Sequence, residues 1–205
     1  MKKLSVLVPI YNERDTIDEI LRRVEQVEMP KEILLVDDGS QDGTREKLQD
    51  LAERPSEIRP DLNQIFVFFH ERNQGKGAAV QTALSHATGD IIIIQDADLE
   101  YDPRDYTLLL QPIFDGRADV VYGSRFLGGP HRVLFFWHYV ANRSLTLLSN
   151  MLTNVNLSDI ETCYKAFTRD VADRISLRSK RFGFDPEITA RFARLGCRIY
   201  DVPIS

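Results

Sequence analysis

Four consecutive isoleucines, Ile91 to Ile94, run through Gln95 into Asp96-Ala97-Asp98. A run this apolar and β-branched calls for burial on both faces, as in the middle of a parallel sheet. The carboxylates that end it then stand at the carboxyl edge of that sheet, where open α/β folds place their ligands. Residues i and i+2 of an extended chain point the same way, so Asp96 and Asp98 can converge on one cation. Two like charges held that close repel each other, and a divalent ion relieves them.

Strand and helix patterns alternate around this run. Residues 4–9, 33–36, 65–69 and 120–122 read as further strands, with the isoleucine strand extending over 91–95. Residues 16–27 carry Ile17, Ile20, Leu21, Val24 and Val27 at helical spacing, with Asp15 or Thr16 as cap. Further helices are expected over 44–51, 78–87 and 104–114, the last opened by Pro103. The alternation predicts a mostly parallel sheet wrapped by helices. Residues 53–63, with Pro55 and Pro60, read as a polar surface loop.

After Gly123 the pattern changes. Residues 126–130 read as a mobile loop, and 133–152 as an apolar helix with Leu134, Trp137, Ala141, Leu145, Leu148 and Leu152 on one stripe. Core packing is the default expectation for Phe135-Phe136-Trp137-His138-Tyr139, and an interfacial helix or a greasy acceptor groove is the sharper one. Residues 186–195 form another expected helix, ended by Gly196, and 198–205 begin a strand at the end of the chain. An unclosed final strand is read as a piece of a longer protein.

With 205 residues the chain suits one domain, and 43% hydrophobic residues supply a sizeable core. A formal net charge of −5, with no basic cluster beyond Arg22-Arg23 and Lys180-Arg181, argues against a nucleic-acid partner. Cys163 and Cys197 are far apart in sequence and are expected as free thiols in a reducing compartment. The basic start, Met1-Lys2-Lys3, leads into an apolar run broken by Pro9, so a strand is expected there rather than a leader. No stretch of about 18 apolar residues occurs. The expected location is cytoplasmic, with peripheral contact at a membrane's cytoplasmic face.

Three acidic clusters share one design of apolar strand followed by carboxylates: Tyr11-Asn12-Glu13, Asp37-Asp38 and Asp96-Ala97-Asp98. One such cluster alone is usually a cap or a solvated turn. Three at one sheet edge form an acidic crescent suited to a metal-bound nucleotide. Gly75-Lys76-Gly77 lacks the Ser or Thr that a GxxxxGK[ST] phosphate loop needs, so a Walker-type NTPase is excluded. Arg125, in Gly123-Ser124-Arg125, is placed to clamp a diphosphate, and Arg143 is a second candidate. Asp159, in a stretch without periodicity, could lie near an acceptor or act as a base.

Taken in order, Val8-Pro9-Ile10-Tyr11-Asn12-Glu13, Val36-Asp37-Asp38-Gly39-Ser40, Asn73-Gln74-Gly75-Lys76-Gly77, Asp96-Ala97-Asp98 and Gly123-Ser124-Arg125 resemble the family-2 glycosyltransferases of the GT-A fold. The branch most similar is that of the dolichyl- and polyprenyl-phosphate mannosyl- and glucosyltransferases. The resemblance implies a Rossmann-like, mostly parallel central sheet flanked by helices, in a single catalytic domain over residues 1–205 that lacks a C-terminal segment. It implies that Pro9, Tyr11, Glu13, Asp38, Lys76, Asp96, Ala97, Asp98, Arg125 and Arg143 bind a nucleotide-sugar. Asp96, Asp98 and Glu100 would surround Mg²⁺ or Mn²⁺, and Asp98, Asp159 and Arg125 would carry the chemistry. Lys165 stands where many relatives have arginine.

The activity implied is inverting, metal-dependent transfer of a hexose from a GDP-mannose- or UDP-glucose-type donor. The implied acceptor is a polyprenyl or dolichyl phosphate, or alternatively a saccharide hydroxyl, for which Asp159 would serve as base. A non-catalytic nucleotide-sugar-binding module is the remaining alternative. A phospho-receiver module would leave Asp96-Ala97-Asp98 unexplained. A nucleotidyltransferase would place a glycine-rich basic loop where Tyr11-Asn12-Glu13 stands.

Overall fold

The computed structural model describes residues 2–53, 60–128, 135–181 and 183–205. Its centre is a seven-stranded sheet. The strands are β1 (Leu4–Ile10), β2 (Lys31–Asp37), β3 (Asn63–Phe69), β4 (Ile91–Ile94), β5 (Val120–Ser124), β6 (Lys165–Thr168) and β7 (Ile199–Pro203). Their order is β3-β2-β1-β4-β6-β5-β7, and only β6 runs against its neighbours. The helices are α1 (Ile17–Gln26), α2 (Thr44–Ala52), α3 (Lys76–His86), α4 (Tyr106–Phe114), α5 (Phe136–Thr153), α6 (Arg169–Ala172) and α7 (Phe184–Arg194). This is the mostly parallel, helix-flanked sheet that the alternation predicts.

The four isoleucines of β4 are each at most 1% exposed, between β1 and β6. Chain order reverses at β1, with β2 on one side and β4 on the other, and an α/β sheet opens a ligand crevice at such a switch point. Two local expectations differ from what is seen. Thr16 makes no side-chain cap on α1; its hydroxyl instead donates to Glu13 Oε2 at 2.6 Å. β6, a four-residue strand, lies in the stretch that lacked periodicity. Residues 54–59 of the expected polar loop, and 129–134 of the expected mobile loop and helix start, lie outside the described residues. Cys163 and Cys197 are both free thiols.

At the amino edge of the sheet, Glu32 is buried and accepts from the Ser5 hydroxyl at 2.6 Å, from Thr88 and from the Gly89 amide, and it pairs with Lys3 at 2.7 Å. Burial alone would push its carboxyl up, but the bonds from Lys3, Ser5 and Thr88 outweigh it and hold the pKa at about 2, against an ordinary 4.5. A depressed carboxyl contributes stability that is fully present above its unfolded value and is lost as pH falls towards its folded one. Denaturation midpoints are therefore expected to fall between pH 4.5 and 2, and Glu32→Gln should flatten that decline. An unchanged pH profile in the variant would contradict the assignment.

Candidate active site

The loops at the carboxyl ends of β1 and β2 are laced together by side chains. Asn12, in a left-handed turn at φ 58°, donates its amide to Ser40 Oγ, and its own Oδ1 accepts from the Gln41 amide. The Glu13 amide donates to Thr44 Oγ1 at 2.9 Å. This fixes Tyr11 and Glu13 beside the end of β2. Asp38 is buried there, and its carboxylate accepts from the Gln74 and Gly75 amides and from His70 Nδ1 at 2.6 Å. Asp37 is held by Arg45 and caps the Ser40 amide, so it stabilises the turn.

The start of α3 is pinned from outside. Residues 178–181 cross over it, with the Lys180 carbonyl accepting from the Ala78 amide and the Ser179 carbonyl from Gln81. A Cβ on Gly75 would lie 2.4 Å from the Lys180 carbonyl oxygen, and one on Gly77 would lie 2.3 Å from that of Ser179. Gly75 also sits at φ +105°, which side chains rarely adopt. The close approach that these glycines permit is therefore made by the chain itself.

Between these loops lies a cavity of about 530 Å³. It gathers Pro9, Tyr11, Glu13, Asp38, Lys76, Asp96, Ala97 and Asp98, eight of the residues expected to bind nucleotide-sugar. Asn73, Arg181 and Asp185 line it as well, and sequence reasoning missed them in that role. A groove of about 760 Å³ between α1 and α4 shares none of the described residues with this cavity. Its arginines Arg22, Arg23 and Arg104 are paired with Glu19 and Asp102.

Four expected site residues, Glu100, Arg125, Arg143 and Asp159, do not line the cavity. Arg125 donates from Nε to Asp159 Oδ2 at 2.8 Å and from Nη2 to Oδ1 at 3.1 Å, and its Nη1 lies 3.5 Å from Glu100. Asp159 is fully buried and also accepts from Asn142 at 2.9 Å. Both its oxygens are engaged, an arrangement that anchors Arg125 instead of presenting a free base. Arg143 is exposed on α5 and reaches the Ser158 carbonyl at 3.4 Å.

Charge inside the cavity is uneven. Lys76 Nζ lies 2.7 Å and 2.8 Å from the two oxygens of Asp96. Burial opposes the charge on Asp96, but the Lys76 ammonium outweighs it and holds the carboxyl below its ordinary range. Asp98 goes the other way: partial burial, then the like charges of Asp96, Glu100 and Glu13, raise it. Its Oδ1 accepts from the Glu100 amide across Leu99, a non-glycine residue at φ 48°. A branched residue in the left-handed region costs about 1–2 kcal/mol, and such strain gathers at functional sites. Among the described residues, no three acidic, histidine or cysteine groups stand close enough to hold a metal by themselves. The donor set still fits a hard divalent cation, because carboxylate oxygens suit Mg²⁺ and Mn²⁺ and Asp98 is crowded by like charge.

α5 is amphipathic in an inverted sense. It buries Asn142, Thr146 and Ser149, at i, i+4 and i+7; Asn142 donates to Asp159, and Thr146 accepts from the Ile160 amide. The expected apolar stripe faces outward instead, with Trp137 at 75%, Leu148 at 53% and Leu152 at 78% exposure. Core packing of the aromatic segment is thus corrected: the inward stripe is polar because it must satisfy the buried Asp159 segment.

Comparison with known proteins agrees with this architecture. An undecaprenyl-phosphate 4-deoxy-4-formamido-L-arabinose transferase from Klebsiella pneumoniae (strain 342) is 30% identical over all of this chain and 59% of its own length. Its counterpart from Enterobacter sp. (strain 638) is 32% identical over 96% of the chain and 58% of that protein. The chain thus spans rather more than half the length of the curated relatives it matches. A mannosyltransferase from Pyrobaculum calidifontis, solved with GDP-Man and Mn²⁺, superposes with a TM-score of 0.68 at 27% identity, over 98% of this chain and 54% of that one. Glucosyl-3-phosphoglycerate synthase from Mycobacterium tuberculosis, in complex with UDP, shares the fold with a TM-score of 0.72 at 20% identity, over 98% and 70%. The family model for glycosyl transferase family 2 matches residues 5–176, and the chain belongs to that family.

Proposed function

We propose that this chain is the donor-binding, catalytic part of an inverting hexosyltransferase that moves a sugar from a GDP-mannose- or UDP-glucose-type donor to a polyprenyl or dolichyl phosphate. The observation that carries the reading is Asp98. It stands in a cavity at the carboxyl edge of the sheet, crowded by like charges, with no cation paired to it among the described residues. Tyr11, Glu13 and the Asp38 turn would bound the nucleoside end. Asp98, aided by Asp96 and Glu100, would hold Mg²⁺ or Mn²⁺, which when bound would neutralise charge on the diphosphate leaving group.

In the transfer, an acceptor oxygen attacks the anomeric carbon as the bond to the nucleoside diphosphate breaks, with inversion. A lipid phosphate is already anionic and needs no proton removed. That favours it over a hydroxyl, because Asp159 has both oxygens occupied by Arg125 and Asn142. Arg125, set by Asp159 beside Glu100, supplies fixed positive charge next to the acidic edge. The test is a transfer assay with polyprenyl phosphate or a saccharide as acceptor, with the anomeric configuration read by NMR. An inverted glycosyl phosphate formed only with Mn²⁺ is expected. A retained configuration, or transfer to the saccharide alone, would overturn the reading.

The outward face of α5 supports a lipid acceptor, and the proposed location is peripheral at the cytoplasmic face of a membrane. No described helix is long and apolar enough to cross a membrane. Yet Phe136, Trp137, Leu147, Leu148, Met151 and Leu152 are all more than half exposed along one helix with a single arginine, Arg143. Each such side chain moved from water into lipid gains about 1.5–3 kcal/mol. The protein is expected to float with liposomes, and the pair Trp137→Glu and Leu148→Glu to reduce co-flotation more than tenfold without changing the melting temperature. Equal flotation of variant and wild type would contradict this placement.

A further inference from the structure

We propose that Lys76 is an internal counter-ion that holds the cation position at Asp96 while no nucleotide is bound, so that a divalent ion enters only together with a diphosphate. The inference rests on the donor site argued above and adds an order of binding to it.

Lys76 is the first residue of α3, and its backbone has little freedom. Asp38 accepts from the Gly75 amide at 2.7 Å, and the 178–181 segment packs against Gly75 and Gly77 so closely that neither position has room for a side chain. From that fixed point the ammonium reaches both oxygens of Asp96, at 2.7 and 2.8 Å. The neighbouring cation, Lys165, is directed elsewhere: it is fully buried and pairs with Asp185 at 2.5 Å. Of the two convergent carboxylates Asp96 is therefore neutralised, while Asp98 faces the cavity without a cation partner among the described residues.

A single carboxylate is a weak site for Mg²⁺ or Mn²⁺, which take most of their six ligands from oxygens and water. A diphosphate changes the balance in two ways at once. It brings further anionic oxygens to the ion, and it offers the three donors of the Lys76 ammonium another partner, which frees Asp96. Nucleotide and metal are then coupled through Lys76, and by linkage each strengthens the other by the same factor.

The test titrates Mn²⁺, followed by the electron paramagnetic resonance signal of the free ion, into wild type, Lys76→Met, Lys76→Arg and Asp98→Asn, without nucleotide and with UDP or GDP. Without nucleotide, Lys76→Met is expected to bind Mn²⁺ at least tenfold more tightly than wild type, and Lys76→Arg to stay as weak as wild type. With nucleotide, wild type should gain more than tenfold and Lys76→Met distinctly less. Circular dichroism melts confirm that each variant is folded. If Lys76→Met binds Mn²⁺ no more tightly than wild type, while wild type with nucleotide binds it at a site that Asp98→Asn removes, the counter-ion proposal fails and the donor site stands. If nucleotide leaves Mn²⁺ binding unchanged in wild type and Asp98→Asn has no effect, the donor site itself fails and the proposal falls with it.

Discussion

Asp98→Asn is expected to lower metal-dependent transfer on the order of 10²–10³-fold, the usual loss when one group stabilising transition-state charge is removed, with no loss of thermal stability. The two effects have one cause. In the free protein partial burial, and after it the like charges of Asp96, Glu100 and Glu13, raise the pKa of the Asp98 carboxylate. Asparagine removes that repulsion and still offers an oxygen to the Glu100 amide that Asp98 now caps. What is lost is the negative charge that a divalent ion requires. Side-by-side turnover and melting curves check both halves. Near-normal turnover at saturating Mn²⁺ would contradict the assignment of Asp98, and a melt several degrees lower would contradict the account of its charge.

Asp159→Ala should behave in the opposite manner, as a change that first breaks structure. It leaves Arg125, with a side chain only 17% exposed, and the buried Asn142 without their acceptor. Removing one partner of a buried ion pair typically costs about 3–5 kcal/mol. At roughly 2–4 °C per kcal/mol for a chain of this size, the melting point is expected to fall by about 10 °C. Arg125→Met in the same background should recover a good part of that stability, because the stranded charge goes with it. Asp159→Asn separates anchor from base. An anchor keeps transfer to a phosphate acceptor within about tenfold of wild type, since asparagine still accepts one bond from Arg125. A general base would instead lose on the order of 10²–10⁴-fold in transfer to a saccharide hydroxyl, with the melt unchanged.

Much of this was legible in the sequence because the parallel strands are buried on both faces and read as continuous apolar runs. The Ile91–Ile94 run located the sheet centre, and the residues that stop β1, β2 and β4 fall in the cavity together. β6 was not legible. Its four residues, Lys165-Ala166-Phe167-Thr168, are too few to show a period, and a fully buried lysine disguises the strand. Arg181 and Asp185 escaped notice because they reach the cavity from the 178–181 segment and the start of α7, with no strand end to announce them. α5 was legible as a helix and illegible in orientation. Its apolar stripe and its polar stripe at Asn142, Thr146 and Ser149 are equally regular, and only the buried Asp159 decides which one turns inward.

The arginines show another limit. Gly123-Ser124-Arg125 stands at the end of β5, as the sequence pattern predicts, yet sequence order does not show that Asp159, 34 residues on, engages that guanidinium with both oxygens. The same holds for Lys76 and Asp96, which are 20 residues apart and meet only because α3 begins where β4 ends.

The most direct test of the central claim is a thermal-shift titration of wild type and Asp98→Asn with GDP-mannose and UDP-glucose, each with and without Mn²⁺. A ligand that binds only the folded state at 100 times its dissociation constant stabilises by about 2.7 kcal/mol, a shift of several degrees. One of the two donors should raise the wild-type melting point in the presence of Mn²⁺ and leave Asp98→Asn unmoved. An equal rise without the metal, or in the variant, would contradict a donor held through a cation at Asp98.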